Sequence, residues 1–215
     1  MIELNQYIPW FSDSWKSKYD VVLAEEHLKN IEKNILKYKT QTLDWDLPYF
    51  NEEIKIDRDE SFRIFIDILK LNEQESIAKK LEGISFEHWL NVLGQRLTSA
   101  SIRDETAIPP LKSILIESCQ KLFNDEITIA QRAWEKHIGR MDAQFWGEMK
   151  GNNEQKQKKV MGKVNDIIEN KTWWNVFFHY KHGIVYEIRE KVGHGIRWSH
   201  NGTQLIGFLE TFIND

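Results

Sequence analysis

At Thr172 the spacing of apolar residues changes from about 3.6 to two. Before that point the chain reads as helices, and after it as strands. Trp15, Tyr19, Val22, Leu28, Ile31, Ile35 and Tyr38 follow helical spacing, which predicts a first helix capped by Ser12 or Ser14 and running to about Lys39. Thr40 to Asp59 reads as a connector containing Pro48, pinned by Trp45, Tyr49 and Phe50. Phe62, Phe65, Ile66 and Leu69 predict a second helix, and a short third one stops at Gly83. Ser85 caps a helix facing inward through Phe86, Trp89, Leu90, Leu93 and Leu97. Pro109-Pro110 opens another, because a first helical turn tolerates proline. From Asp125 the pattern is most regular, through Ile127, Ala130, Trp134, Ile138, Met141 and Phe145. The polar run Asn152–Lys159 reads as a solvated loop and helix start, before a last helix that ends at Asn170.

Beyond Thr172, Asn201-Gly202 reads as a two-residue hairpin turn, since a type I′ turn needs positive φ at both positions. His182-Gly183 is a weaker signal of the same kind, joining Trp173–Lys181 to Ile184–Val192. A two-residue loop there would pair Phe178 with Glu187 and Val176 with Arg189. A three-residue loop would change those pairs, yet keep Glu187 and Arg189 on one face. The fold class is therefore α+β: an N-terminal helical body, 4–170, packed on a small C-terminal antiparallel β-meander, 172–213. It is read as a single domain over 1–215, because two hairpins alone need a helix layer to cover one face.

The 215 residues are 41% hydrophobic and 29% charged, which suits a globular chain with a sizeable core. The net charge of −4 argues against a nucleic-acid partner, which calls for a basic surface. Met1–Gln6 lacks the basic start and apolar stretch of a signal peptide, and no apolar run reaches membrane-span length. The expected location is cytoplasmic, with no membrane contact. A single cysteine, Cys119, leaves no intramolecular disulfide and no cysteine-built zinc site. His179 and His182 point to opposite faces of a strand, so no metal site is expected, nor any cofactor.

Both faces of the first hairpin carry large apolar groups and should be covered. Glu187 and Arg189 on such a face need partners or a ligand. Gly193-His194-Gly195 is the second candidate, an exposed link whose glycines permit positive φ or close approach of a ligand. With Arg189 and Arg197 nearby, His194 could move a proton beside an anion. Two functions follow. In the first, the protein is a non-catalytic cytosolic adaptor that holds a protein partner through an exposed patch of Trp173, Trp174 and Trp198. In the second, it is a metal-independent enzyme acting on a phosphate-bearing or other anionic substrate, with an anionic small molecule as partner. His194 and Glu187 would be catalytic there, and Arg189 and Arg197 would bind the anion. The second requires all four side chains to converge.

Overall fold

The computed structural model describes residues 3–43, 52–138, 143–148 and 150–211. The expectations for Trp45, Pro48, Tyr49, Phe50, Met141 and Ile213 lie outside these residues. The chain groups into two compact units. One comprises 3–43, 54–97 and 102–108, and the other 52–53, 98–101 and 109–211 among the described residues. The β-layer groups with the helices that immediately precede it, and helices before a C-terminal antiparallel meander make the fold α+β, as expected.

The first unit is helical. A 3-10 helix, Leu4–Trp10, leads to α1 (Asp13–Lys18) and α2 (Glu25–Lys39). The Ser12 hydroxyl accepts from the Trp15 amide and caps α1. The single first helix expected from spacing is thus two, broken over residues 19–24. Then come α3 (Asp59–Ile68), α4 (Gln74–Gly83) and α5 (Phe86–Leu93). Left-handed Gly94 stops α5 four residues short of Leu97. Phe65 meets Trp89 edge to face, and Phe11 stacks on Trp15, so aromatic rings fill much of this core. Two-residue strands, β1 (Glu53–Ile54) and β2 (Leu97–Thr98), mark the passages of the chain.

The second unit holds α6 (Lys112–Gln120), α7 (Ile129–Ile138), α8 (Ala143–Trp146) and α9 (Asn153–Asn170). Four strands follow: β3 (Lys171–His179), β4 (Gly183–Glu190), β5 (Gly195–Ser199) and β6 (Leu205–Leu209). They form an antiparallel meander in the order β3-β4-β5-β6. α9 begins at the head of the polar run expected to be a solvated loop and helix start. Asn152 and Gln155 form a reciprocal capping box, which satisfies the amides of the first turn despite the lack of apolar residues there.

Both hairpin turns are longer than two residues. His179 pairs with Gly183, which leaves a three-residue loop, and the His182 amide donates to the His179 carbonyl. At the other turn β5 ends at Ser199 and β6 begins at Leu205. The Asn201 carboxamide accepts from the Ser199 hydroxyl and the Thr203 amide. Asn201 does not have positive φ, so this is not the type I′ turn expected. In the resulting register Asn175 opposes Glu187, and Trp173 opposes Arg189. Trp174, Val176, Tyr186, Ile188, Ile196, Trp198 and Phe208 share the face turned to α6, α7 and α9. Burying each aliphatic side chain of this set is worth roughly 1.5–3 kcal/mol. Trp173, Asn175, Phe177, His179, Val185, Glu187, Arg189, Arg197 and Ser199 share the opposite face. The period of two fixes that division once one cross-strand pair is set.

Candidate functional site

Glu187 lies mid-strand in β4, between Asn175 of β3 and Arg197 of β5. It takes one arginine on each oxygen. Arg189 Nε donates to Oε1 at 2.6 Å, and Arg197 Nε and Nη2 reach Oε2 at 2.7 and 2.6 Å. Two guanidiniums on one carboxylate leave one net positive charge on this face. Burial pulls the Arg189 guanidinium below its usual value, while the charge of Glu187 and its hydrogen bond hold it up. The second nitrogen of that fork, Nη1, donates to the carbonyls of Gly193 at 2.6 Å and Glu210 at 2.7 Å. Glu187, Arg189 and Arg197 therefore meet, as the sequence reading required.

His194 does not complete that group. The β4–β5 turn is closed by two backbone bonds, Gly193 N–H to Glu190 C=O and Glu190 N–H to His194 C=O. Gly193 takes φ +96°, and a Cβ on Gly195 would strike the Ile188 carbonyl. One glycine supplies the conformation and the other the close approach. The turn is not the exposed link expected: His194 is 4% exposed, with its ring stacked on Phe145 at 3.7 Å and edge-on to Trp146 at 5.6 Å. Its carboxylate neighbour is Glu210, not Glu187. His194 Nε2 lies 3.6 Å from Glu210 Oε2, and His137 Nε2 lies 2.6 Å from Oε1. Trp146 Nε1 donates to Oε2 at 3.2 Å, and Trp146 is itself held by Trp134 Nε1 on its carbonyl at 3.0 Å. The single four-residue pocket is thus replaced by two polar groups, an Arg–Glu–Arg trio and a His–Glu–His set, which Arg189 joins through backbone carbonyls.

Sequence reasoning singles out neither Glu210 nor His137. His137, His194 and Glu210 lie far apart in the chain, so no local spacing marks them. The one signal was His137 next to Ile138 on the apolar stripe of α7. Among the described residues, no group of three or more His, Cys, Asp and Glu is placed to hold a metal ion.

The expected tryptophan patch is absent. Trp173, Trp174 and Trp198 are 1%, 7% and 0% exposed, because the meander lays two of them against the helices and sinks the third in the opposite face. Cys119 lies beside Trp198, and burial pushes its thiol up to about 12. Exposed rings occur at the β3–β4 tip instead, at Phe178 and Tyr180. No helix of the described residues is long and apolar enough to cross a membrane.

The net charge is unevenly spread. Residues 109–215 carry 15 Lys and Arg against 13 Asp and Glu, while residues 1–108 carry 14 against 20. Five of the seven histidines also fall in 109–215. The whole-chain value of −4 therefore says little about the unit that contains the sheet. Comparison with curated proteins and with solved structures gives no match. The adaptor reading, the small-molecule reading and the argument against nucleic acid are all overturned by a further comparison: residues 116–210, under half of the chain, are similar to the family described as the CdiA C-terminal tRNase toxin domain.

Proposed function

We propose that residues 116–210 form an RNA-cleaving toxin domain that acts on tRNA, in the cytoplasm where tRNA is found. The family similarity carries this reading. The span matched encloses His137, Phe145, Trp146, Glu187, Arg189, His194, Arg197 and Glu210. RNA supplies its own nucleophile. The 2′-oxygen attacks the adjacent phosphorus, and the bond to the 5′-oxygen breaks. A base takes the 2′-hydroxyl proton, an acid protonates the leaving 5′-oxygen, and a 2′,3′-cyclic phosphate remains. Imidazoles and carboxylates are the side chains suited to both transfers near neutral pH.

The His137–Glu210–His194 set is the proton-handling centre in this reading. Glu210 keeps 29% of its side-chain exposure and is the member open to solvent. His137 and His194 hold it from two sides and exchange protons with it. His194 keeps its acid–base role with a new partner, while Glu187 becomes a positioning residue for Arg189 and Arg197. The surplus positive charge of that trio favours a phosphate beside Arg197.

The test is incubation of the purified protein with total tRNA, followed by denaturing electrophoresis. Discrete fragments ending in cyclic phosphate are expected. His194→Gln and Glu210→Gln should each slow cleavage by roughly 100-fold or more. Intact tRNA at every protein concentration would overturn the proposal.

A further inference from the structure

The β3–β4 tip carries a cluster of rings that the packing of the unit does not consume. His179 stacks with Tyr180, ring centroids 5.0 Å apart, and with His182 at 4.9 Å. The planes differ by only 28° and 23°. Tyr180 is 77% exposed, and His182 and Lys181 are exposed beside it. The local sequence holds the cluster in place. The Lys181 amide donates to His179 Nδ1 at 3.2 Å, and left-handed Gly183 closes the turn behind it. This bond makes Nδ1 an acceptor, which favours the neutral ring over the imidazolium. A near-parallel set of rings is what a nucleobase stacks on.

Cations accompany the rings. Lys181 Nζ lies 5.2 Å from the Tyr180 centroid. Farther along the same sheet face as His179, the Arg197 guanidinium lies 5.7 Å from the Phe177 centroid. Ring, cation, ring, cation is the alternation that a single strand presents in reverse, as base and phosphate. A duplex hides its base faces and cannot use such a surface.

We propose that the β3–β4 tip is a stacking platform for an unpaired stretch of RNA, with bases on Tyr180 and His182 and phosphates at Lys181 and Arg197. This rests on the ribonuclease reading for its choice of RNA. A protein partner at the same tip is the competing occupant.

The test uses the full chain and a fluorescent single-stranded RNA of roughly 12 nucleotides, 2′-O-methylated throughout so that it cannot be cleaved. Tyr180→Ala and His182→Ala should each weaken binding about tenfold, and Tyr180→Phe should bind like the original protein. Lys181→Gln should flatten the salt dependence by about 0.7 in log–log slope. A fully paired RNA of the same length should be insensitive to all of these substitutions. Unchanged single-strand binding in Tyr180→Ala and His182→Ala would overturn the platform and leave the tip to a protein. Because the probe is inert, failure to cut tRNA with these binding losses intact would overturn the nuclease reading alone.

Discussion

Two turns of one sheet each place a histidine beside a glycine, and they use it in opposite ways. In the β4–β5 turn His194 folds back onto Phe145 and Trp146 and is almost fully covered. In the β3–β4 turn His182 stays in water, joined through His179 to the exposed Tyr180. Glycine permits the backbone path in both. What lies across the turn decides the side chain: α8 supplies a ring face at the first, whereas the tip's rings have mainly one another. The difference separates a packed end of the sheet, where His194 is covered by rings beside the Glu210 carboxylate, from an open end, where side chains are available to a ligand.

Substitution at each end can break this comparison. The largest effect belongs to Glu187→Ala, which takes the carboxylate from the buried Arg189 guanidinium. A loss of roughly 3–5 kcal/mol is expected from urea unfolding. A loss below 1 kcal/mol would mean that the trio is solvated after all. Gly195→Ala comes next. Its Cβ would meet the Ile188 carbonyl and also Arg189 Cγ at 2.7 Å, so a cost of about 1–3 kcal/mol is expected. Gly183→Ala, at the open end, has empty space around the added atom and only its φ of +70° against it, about 1 kcal/mol. Equal costs for the two glycines would erase the distinction.

Titration sharpens the comparison with smaller effects. Cys119 has its value raised to about 12 by burial, from an ordinary 9.0. A raised folded value contributes stability that is complete below the unfolded value and drains away as pH rises toward the folded one. Between pH 9 and 10 the original protein should therefore lose up to about 1.4 kcal/mol relative to Cys119→Ala, read from urea midpoints. His179 runs the other way. Burial, then the charges of Arg197, His182 and Lys181, lower its value, with Glu187 opposing. Its contribution is complete above the ordinary imidazole value and fades as pH falls through the depressed one. NMR titration should place His179 below a free imidazole, and Arg197→Gln should move it back up. A His179 that titrates at the ordinary value would show the tip to be fully solvated.

Much of the framework was legible because it is periodic. The switch at Thr172 located the meander, and the alternation within β4 put Glu187 and Arg189 on one face whatever the loop length. What failed was punctuation. Asn201-Gly202 and His182-Gly183 read as two-residue turns, but side-chain bonds to Asn201 and the left-handed Gly183 stabilise longer ones. The run 152–159 reads only as solvated loop and helix start, because an apolar stripe is a weak guide where a capping box begins the helix. The site was only half visible. The Arg–Glu–Arg trio follows from strand pairing, whereas the His–Glu–His set depends on α7 and the end of β6 meeting, a tertiary event with no local signature. The whole-chain charge hides a contrast: an acidic first half masks a second half with a small excess of basic residues.

Arg189 also has a mechanical consequence. Its Nη1 spans from β4 to the Glu210 carbonyl just beyond β6, two strands away, while the same atom grips Gly193. Tension applied from the C-terminal side meets this clasp before it reaches the β5–β6 ladder. The last strand should therefore resist unzipping bond by bond and let go in a single step once the guanidinium slips.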